Sequence, residues 1–97
     1  MSSANSYLVK VLTGPHQGAE LVLGPGTYVI GSSDDCDMIF SDALVESKHL
    51  KLELDQGKAV VTRLAKAVYV DGKPLEGETQ GVEPFQFITA GSTYFTF

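Results

Sequence analysis

The chain is poor in several things, and each shortage removes a class of function. It has one cysteine, Cys36, so no internal disulfide can form, and its two histidines show no zinc-ligand spacing with it. A reducing compartment follows from that usage. Basic residues number seven against twelve acidic ones, a formal net charge of −5, and they are scattered along the chain. Nucleic-acid binding, which depends on clustered Lys and Arg neutralising phosphates, is excluded as a leading reading. No run of 18 apolar residues occurs, and "MSSANSYLVKV" lacks the basic flank and apolar stretch of a signal peptide. A soluble piece is expected, with any membrane segment lying outside it. Residues 1–6 read as a flexible lead-in. No segment carries an apolar stripe at helical spacing, no fixed-period repeat occurs, and low-complexity tracts are missing.

What is present has a period of two. With 97 residues, 43% of them hydrophobic, the chain makes one domain, which buries about 60 to 68% of its unfolded surface. That leaves little room for a deep catalytic pocket. "YLVKVLT" and "AELVL" flank "GPHQG", and "GPG" turns the chain into "TYVIG". A brief "MIF" follows between two polar loops, then "HLKLELD", a turn at "QG", and "KAVVTRL" as its hairpin partner. Asp71-Gly72 is the strongest tight-turn signal, because a two-residue type I′ turn needs φ > 0 at both positions. It should join "AVYV" to "KPL". "FQFITA" and "STYFTF", separated by Gly91, form the last hairpin. Roughly ten or eleven short strands argue for an all-β sandwich spanning residues 7–97, with loops gathered at its ends.

Candidate chemistry is thin. His49, opening a strand after a loop, is expected to pin two loops by hydrogen bonds, and His16 is expected to be exposed. Neither has a nucleophile arrangement that would make a triad. Asp34, Asp35 and Asp37 lack the Gly and terminal Glu of a calcium loop, so a solvated acidic loop is the better reading. Cys36 among those carboxylates is expected to be inert. "GPGTY" and "GSTYF" lack the Lys-Ser/Thr ending of a phosphate loop and are turns. Most aromatics are assigned to the core by alternation, with Tyr69 and Phe85 as outward candidates for a partner patch. No catalytic residue, metal site, cofactor or small-molecule substrate is expected.

The order of five features resembles the forkhead-associated (FHA) domain over nearly the whole chain. Gly14 and Gly18 match its glycine-rich first turn, Gly31 the Gly of its Gly-Arg, and Asp37-Met38-Ile39 its short strand. His49 matches the His of Ser-Arg-x-His, and Val70-Asp71-Gly72 its late turn. The resemblance implies an eleven-strand β-sandwich in which His49, Gly31, Asp71 and Gly72 are structural. It also implies a phosphothreonine site whose positions here are Gly31, Ser32, Glu46, Ser47, Lys48 and, for the residue that grips the peptide backbone, about Lys66.

At those positions the phosphate chemistry is missing. A phosphothreonine carries about −1.5 to −2 charges and favours bidentate guanidinium partners. Ser32 stands where Arg is usual, Glu46 where Ser is usual, and Ser47 where a second Arg is usual, which leaves Lys48 and Lys66 as cations. Two like charges about 4 Å apart cost about 1 kcal/mol in water and about 4 kcal/mol at an effective dielectric near 20. With Asp34, Asp35 and Asp42 on the same loops, a negative local potential is expected.

An FHA frame with a decayed phosphate site resembles the cytoplasmic domain of the type III secretion inner-membrane ring protein, the YscD type. A chlamydial homologue sometimes labelled adenylate cyclase-like shares the resemblance, although nothing in this chain supports cyclase chemistry. The resemblance implies a non-catalytic protein–protein module on the cytoplasmic face of a bacterial inner membrane, with proteins of the secretion machinery as partners. Loops 32–37, 41–48 and 64–67 are its expected contact surface. Two other readings stay open from sequence. One is a working phosphothreonine-peptide reader using Ser32, Ser47, Lys48 and Lys66; the other is a purely structural ring-packing element.

Overall fold

Where apolar and polar residues alternate, a strand can bury one face and wet the other. In the computed structural model, which describes residues 7–55, 58–75, 77–83 and 85–96, that pattern produces eleven strands. They are β1 (Tyr7–Val11), β2 (Glu20–Leu23), β3 (Gly26–Gly31), β4 (Met38–Ile39), β5 (Leu50–Asp55), β6 (Lys58–Arg63), β7 (Val68–Val70), β8 (Lys73–Pro74), β9 (Thr79–Val82), β10 (Ile88–Ala90) and β11 (Thr93–Thr96). In β5 the alternation is plain: Leu50, Leu52 and Leu54 are buried, whereas Glu53 and Asp55 are exposed.

The strands form two sheets. One has the order β2-β1-β11-β10-β7-β8, the other β4-β3-β5-β6-β9. Every pairing is antiparallel except β3 with β4. The inner faces meet in one core, with Val9, Val68, Ile88 and Phe95 from the first sheet against Ile30, Leu50, Leu52 and Val61 from the second, all completely buried. Burying side chains of this size contributes about 1.5–3 kcal/mol each, so the core sets the stability scale. No helix among the described residues is long and apolar enough to cross a membrane.

The structure departs from the sequence reading in several places, one of them a strand that reading does not include. β9 carries "TQGV", which has no apolar alternation; it is a strand because β6 supplies a partner edge, with Ala59 opposite Val82 and Thr62 opposite Thr79. "FQFITA" is strand only from Ile88 onward, since Phe85 has φ 72°, outside the extended region. Of the aromatics, Phe40 and Phe95 are buried, Phe85, Phe87 and Tyr94 are exposed, and the tyrosines at 7, 28 and 69 are intermediate. Residues 1–6, the turn at 56–57 and Phe97 lie outside the described residues.

The topology gives the sandwich two poles. β5 enters from residue 49 and leaves at Asp55, and its register with β6 brings Arg63 back beside Leu50. Loops 32–37, 41–48 and 64–67 therefore share one pole with the turn after β10. The segment joining β9 to β10 lies at the other pole, with the Asp71-Gly72 turn, because Ile88 pairs with Val70 and Ala90 with Val68.

Candidate protein-interaction site

Backbone hydrogen bonds assemble the loop pole before any side chain acts. Ser32 N–H donates to Glu46 O at 2.9 Å and Ser33 N–H to Ser47 O at 3.2 Å, so loop 32–37 is stitched to loop 41–48. Phe40 N–H donates to Gly31 O at 2.9 Å. The two loops come so close that a Cβ on Gly31 would stand 2.2 Å from Ser47 O and 2.9 Å from Lys48 Cα. Glycine is required there by space, not by dihedral. The Cys36 thiol, buried beneath the same seam, donates to Ser47 O at 3.1 Å.

His49 fastens the third loop. It is completely buried, its Nδ1 accepts from Glu46 N–H at 3.0 Å, and its Nε2 lies 2.7 Å from Ala67 O. An Nδ1 that accepts leaves the Nε2–H tautomer, which donates to the carbonyl. The His49 carbonyl in turn accepts from Leu64 and Ala65 N–H at 3.1 and 3.0 Å. One residue thus bridges loops 41–48 and 64–67 through ring and backbone together.

The result is an open depression lined by Glu46, Ser47, Lys48 and His49 on one side and Leu64, Ala65, Lys66 and Ala67 on the other. Four of the six positions singled out from sequence, Glu46, Ser47, Lys48 and Lys66, come together there. Gly31 and Ser32 do not line it; they form the seam behind. Glu46, Lys48 and Lys66 are all exposed. Lys48 Nζ lies 4.0 Å from Asp35 Oδ2, whose carboxylate also accepts from the Ser33 hydroxyl at 2.6 Å. Ser33 first and Lys48 second hold the Asp35 carboxyl below its ordinary range. Among the described residues Lys66 makes no ion pair.

The acidic loop is less uniform than its sequence. Asp37 Oδ2 accepts from Val29 N–H at 2.8 Å and ties the loop to β3. Asp42, expected among the carboxylates facing a ligand, is turned inward and buried. Its Oδ1 accepts from Leu44 N–H at 2.9 Å, and its Oδ2 from Ser92 N–H, Ser92 Oγ and Thr93 Oγ1 at 3.0, 2.6 and 2.8 Å. With every contact a donor, its pKa falls to about 2, the Ser92 hydroxyl contributing most. The Asp-x-Leu spacing is that of an Asx turn, the one local signal that could have revealed it. His16 is also corrected: it is partly buried, 5.8 Å from Phe40 between ring centroids, and its Nε2 accepts from Ser41 N–H at 2.9 Å. Nothing in the sequence links positions 16 and 41.

Two sheets in this strand order, loops gathered at one pole and a buried histidine tying them define the chain as an FHA-type domain. By shape it is similar to the FHA domain of the CT664 protein from Chlamydia trachomatis, with 28% identity, a TM-score of 0.86 and 94% of each chain covered. Residues 10–97 match the family model described as the inner membrane component of the type III secretion system (T3SS), cytoplasmic domain, and the chain belongs to that family. The cytoplasmic domain of the T3SS sorting platform protein PscD from P. aeruginosa is 25% identical, with a TM-score of 0.80, over 92% of this chain and 76% of that one. An FHA domain characterised for phosphothreonine-dependent interactions is 20% identical, with a TM-score of 0.81 and coverage of 94% and 93%, a likeness of fold alone. No curated protein matches the chain by sequence. The resemblance drawn from Gly31, His49 and Val70-Asp71-Gly72 is thus to the family the comparisons return. FHA domains and the cytoplasmic domains of this family are interaction modules, not enzymes.

Proposed function

We propose that this domain binds an unphosphorylated protein of the secretion machinery through its loop pole, and that its phosphothreonine site is degenerate. The observation that carries this reading is the charge at the depression. Glu46 lines it where a hydroxyl would greet phosphate, Lys48 is engaged by Asp35, and Ser32 spends its backbone N–H on Glu46 O. Among the described residues no arginine lines the depression, so a phosphate would meet Lys66, a shared lysine and a repelling carboxylate. The walls instead offer Leu64, Ala65 and Ala67, suited to an uncharged side chain flanked by polar contacts. Gly31, His49, Asp71 and Gly72 serve as structure in this reading. The domain acts on the cytoplasmic face of the inner membrane, and any membrane anchorage comes from segments outside it.

The test is a titration of ¹⁵N-labelled domain with a degenerate phosphothreonine peptide library and with its unphosphorylated twin. Equal shifts from the two libraries are expected. Phosphate-dependent shifts at Ser32, Glu46–Lys48 and Lys66, saturating in the micromolar range that corresponds to about −8 kcal/mol, would restore a phosphothreonine reader. The double variant Ser32→Arg with Glu46→Ser is expected to gain phosphate-dependent shifts that the parent lacks.

A further inference from the structure

The pole opposite the loops carries a second feature that the reading above does not use. Between β9 and β10, Gln86 N–H donates to Glu83 O at 3.2 Å and Glu83 N–H to Gln86 Oε1 at 2.8 Å, which brings these two residues together. Asp71 locks this segment to the neighbouring hairpin. Its Oδ2 accepts from Gln86 Nε2 and its Oδ1 from Phe87 N–H, both at 2.9 Å, while its own N–H donates to Phe87 O at 2.8 Å. Thr96 Oγ1 donates to Gln86 O at 2.9 Å from the adjacent strand. The Phe87 amide, then Gln86, then Lys73 hold the Asp71 carboxyl below its ordinary range, so the lock is charged.

On this frame Phe85 adopts φ 72° and is 84% exposed, and Phe87 is 46% exposed. Both facts run against the residue type. A left-handed backbone suits Gly or Asn, and a phenyl ring gains by burial. A strained backbone residue persists where the surroundings over-determine it, and such residues cluster at ligand contacts. Hydrogen bonds at Glu83, Gln86 and Phe87 already hold the backbone near the ring, so docking it orders little further chain.

The charge around the turn selects the partner. Asp71 and Glu83 sit on it against Lys73, within a chain of net charge −5. A second copy would set −5 against −5. We propose that Phe85, with Phe87 beside it, is an aromatic anchor that inserts into an apolar pocket rimmed by Lys and Arg on another protein. The domain then engages partners at both poles, which suits a module standing between components of an assembly. Exposed aromatics that fill a pocket inside a polar rim are the residues that dominate protein interfaces. This inference does not rest on the phosphate question, because the two surfaces lie at opposite poles.

The experiment places the photo-crosslinker p-benzoylphenylalanine at position 85 of the full-length protein in its own cells, and separately at Glu53 on the outer face of the other sheet. Irradiation is expected to give a defined adduct at 85 and none at 53, with a protein other than this chain. With that protein purified, Phe85→Ala should weaken binding about 30-fold or more. Raising salt should weaken binding as well, while Lys66→Glu at the loop pole leaves it within about twofold. Phe85→Gly should lose binding yet raise the melting temperature, by about 4 °C, because glycine relieves the backbone. Equal adducts at both positions, adducts only with copies of this chain, or Phe85→Ala binding within about twofold of the parent would each overturn the proposal.

Discussion

Asp42 shows how much one side chain can do once its neighbours are known. It lies in a polar loop, yet it joins the chain at residue 42 to the β10–β11 turn fifty residues later through Ser92 and Thr93. Its folded pKa of about 2 lies below the ordinary 3.8, so its contribution is complete above pH 3.8 and is lost as pH falls through about 2. A shift of that size corresponds to about 2 kcal/mol. Asp42→Asn would point amide hydrogens at groups that are themselves donors. It is expected to cost about 2 kcal/mol at neutral pH and to flatten the loss of stability between pH 3.8 and about 2, read by urea denaturation across that range. An unchanged acid profile would mean that the Ser92 and Thr93 hydroxyls turn elsewhere in solution.

At the scale of elements, the loop pole is a set of three loops held by two compulsory residues. Gly31 lets loop 41–48 approach within van der Waals contact, and His49 fastens that loop to 64–67. His49→Ala would leave Glu46 N–H and Ala67 O without their partner in a part-buried place, at about 1 kcal/mol each. It should also release the Glu46, Leu64 and Ala65 amides to hydrogen exchange while leaving β1 and β11 protected. Uniform loss of protection would show instead that the loop pole and the sheets open as one unit. The spacing of Gly31 and His49 is legible in the sequence. The bonds that make them compulsory span up to 18 residues and are not.

Across the whole molecule, non-local pairing dominates. β1 pairs with β11, so the first and last strands lie side by side inside the six-stranded sheet, with Lys10 opposite Thr96. Closing so long a loop must precede the contacts that reward it. Refolding is therefore expected in about milliseconds to seconds, the range of all-β sandwiches, in stopped-flow mixing from urea. A microsecond refolding phase carrying the full amplitude would contradict the topology. The same closure places the loop pole and the Phe85 turn at opposite ends of the sandwich, so a substitution at one pole is expected to leave the other intact.

By itself the sequence determined the strands with strong alternation, such as β5 and β6, and the turn at Asp71-Gly72, where Asp φ 53° and Gly φ 81° meet the two-residue requirement. It also determined the order of glycines and histidine that marks the family. These are local properties, set by backbone sterics and by the side-chain period of a strand. Tertiary structure alone decided that "TQGV" is a strand, that Asp42 and His16 turn inward, and that Asp71 locks a distant turn holding Phe85 in solvent. Each depends on a partner brought close by sheet pairing. A polar atom's partner is chosen by distance in space, which the spacing of residues along the chain does not encode.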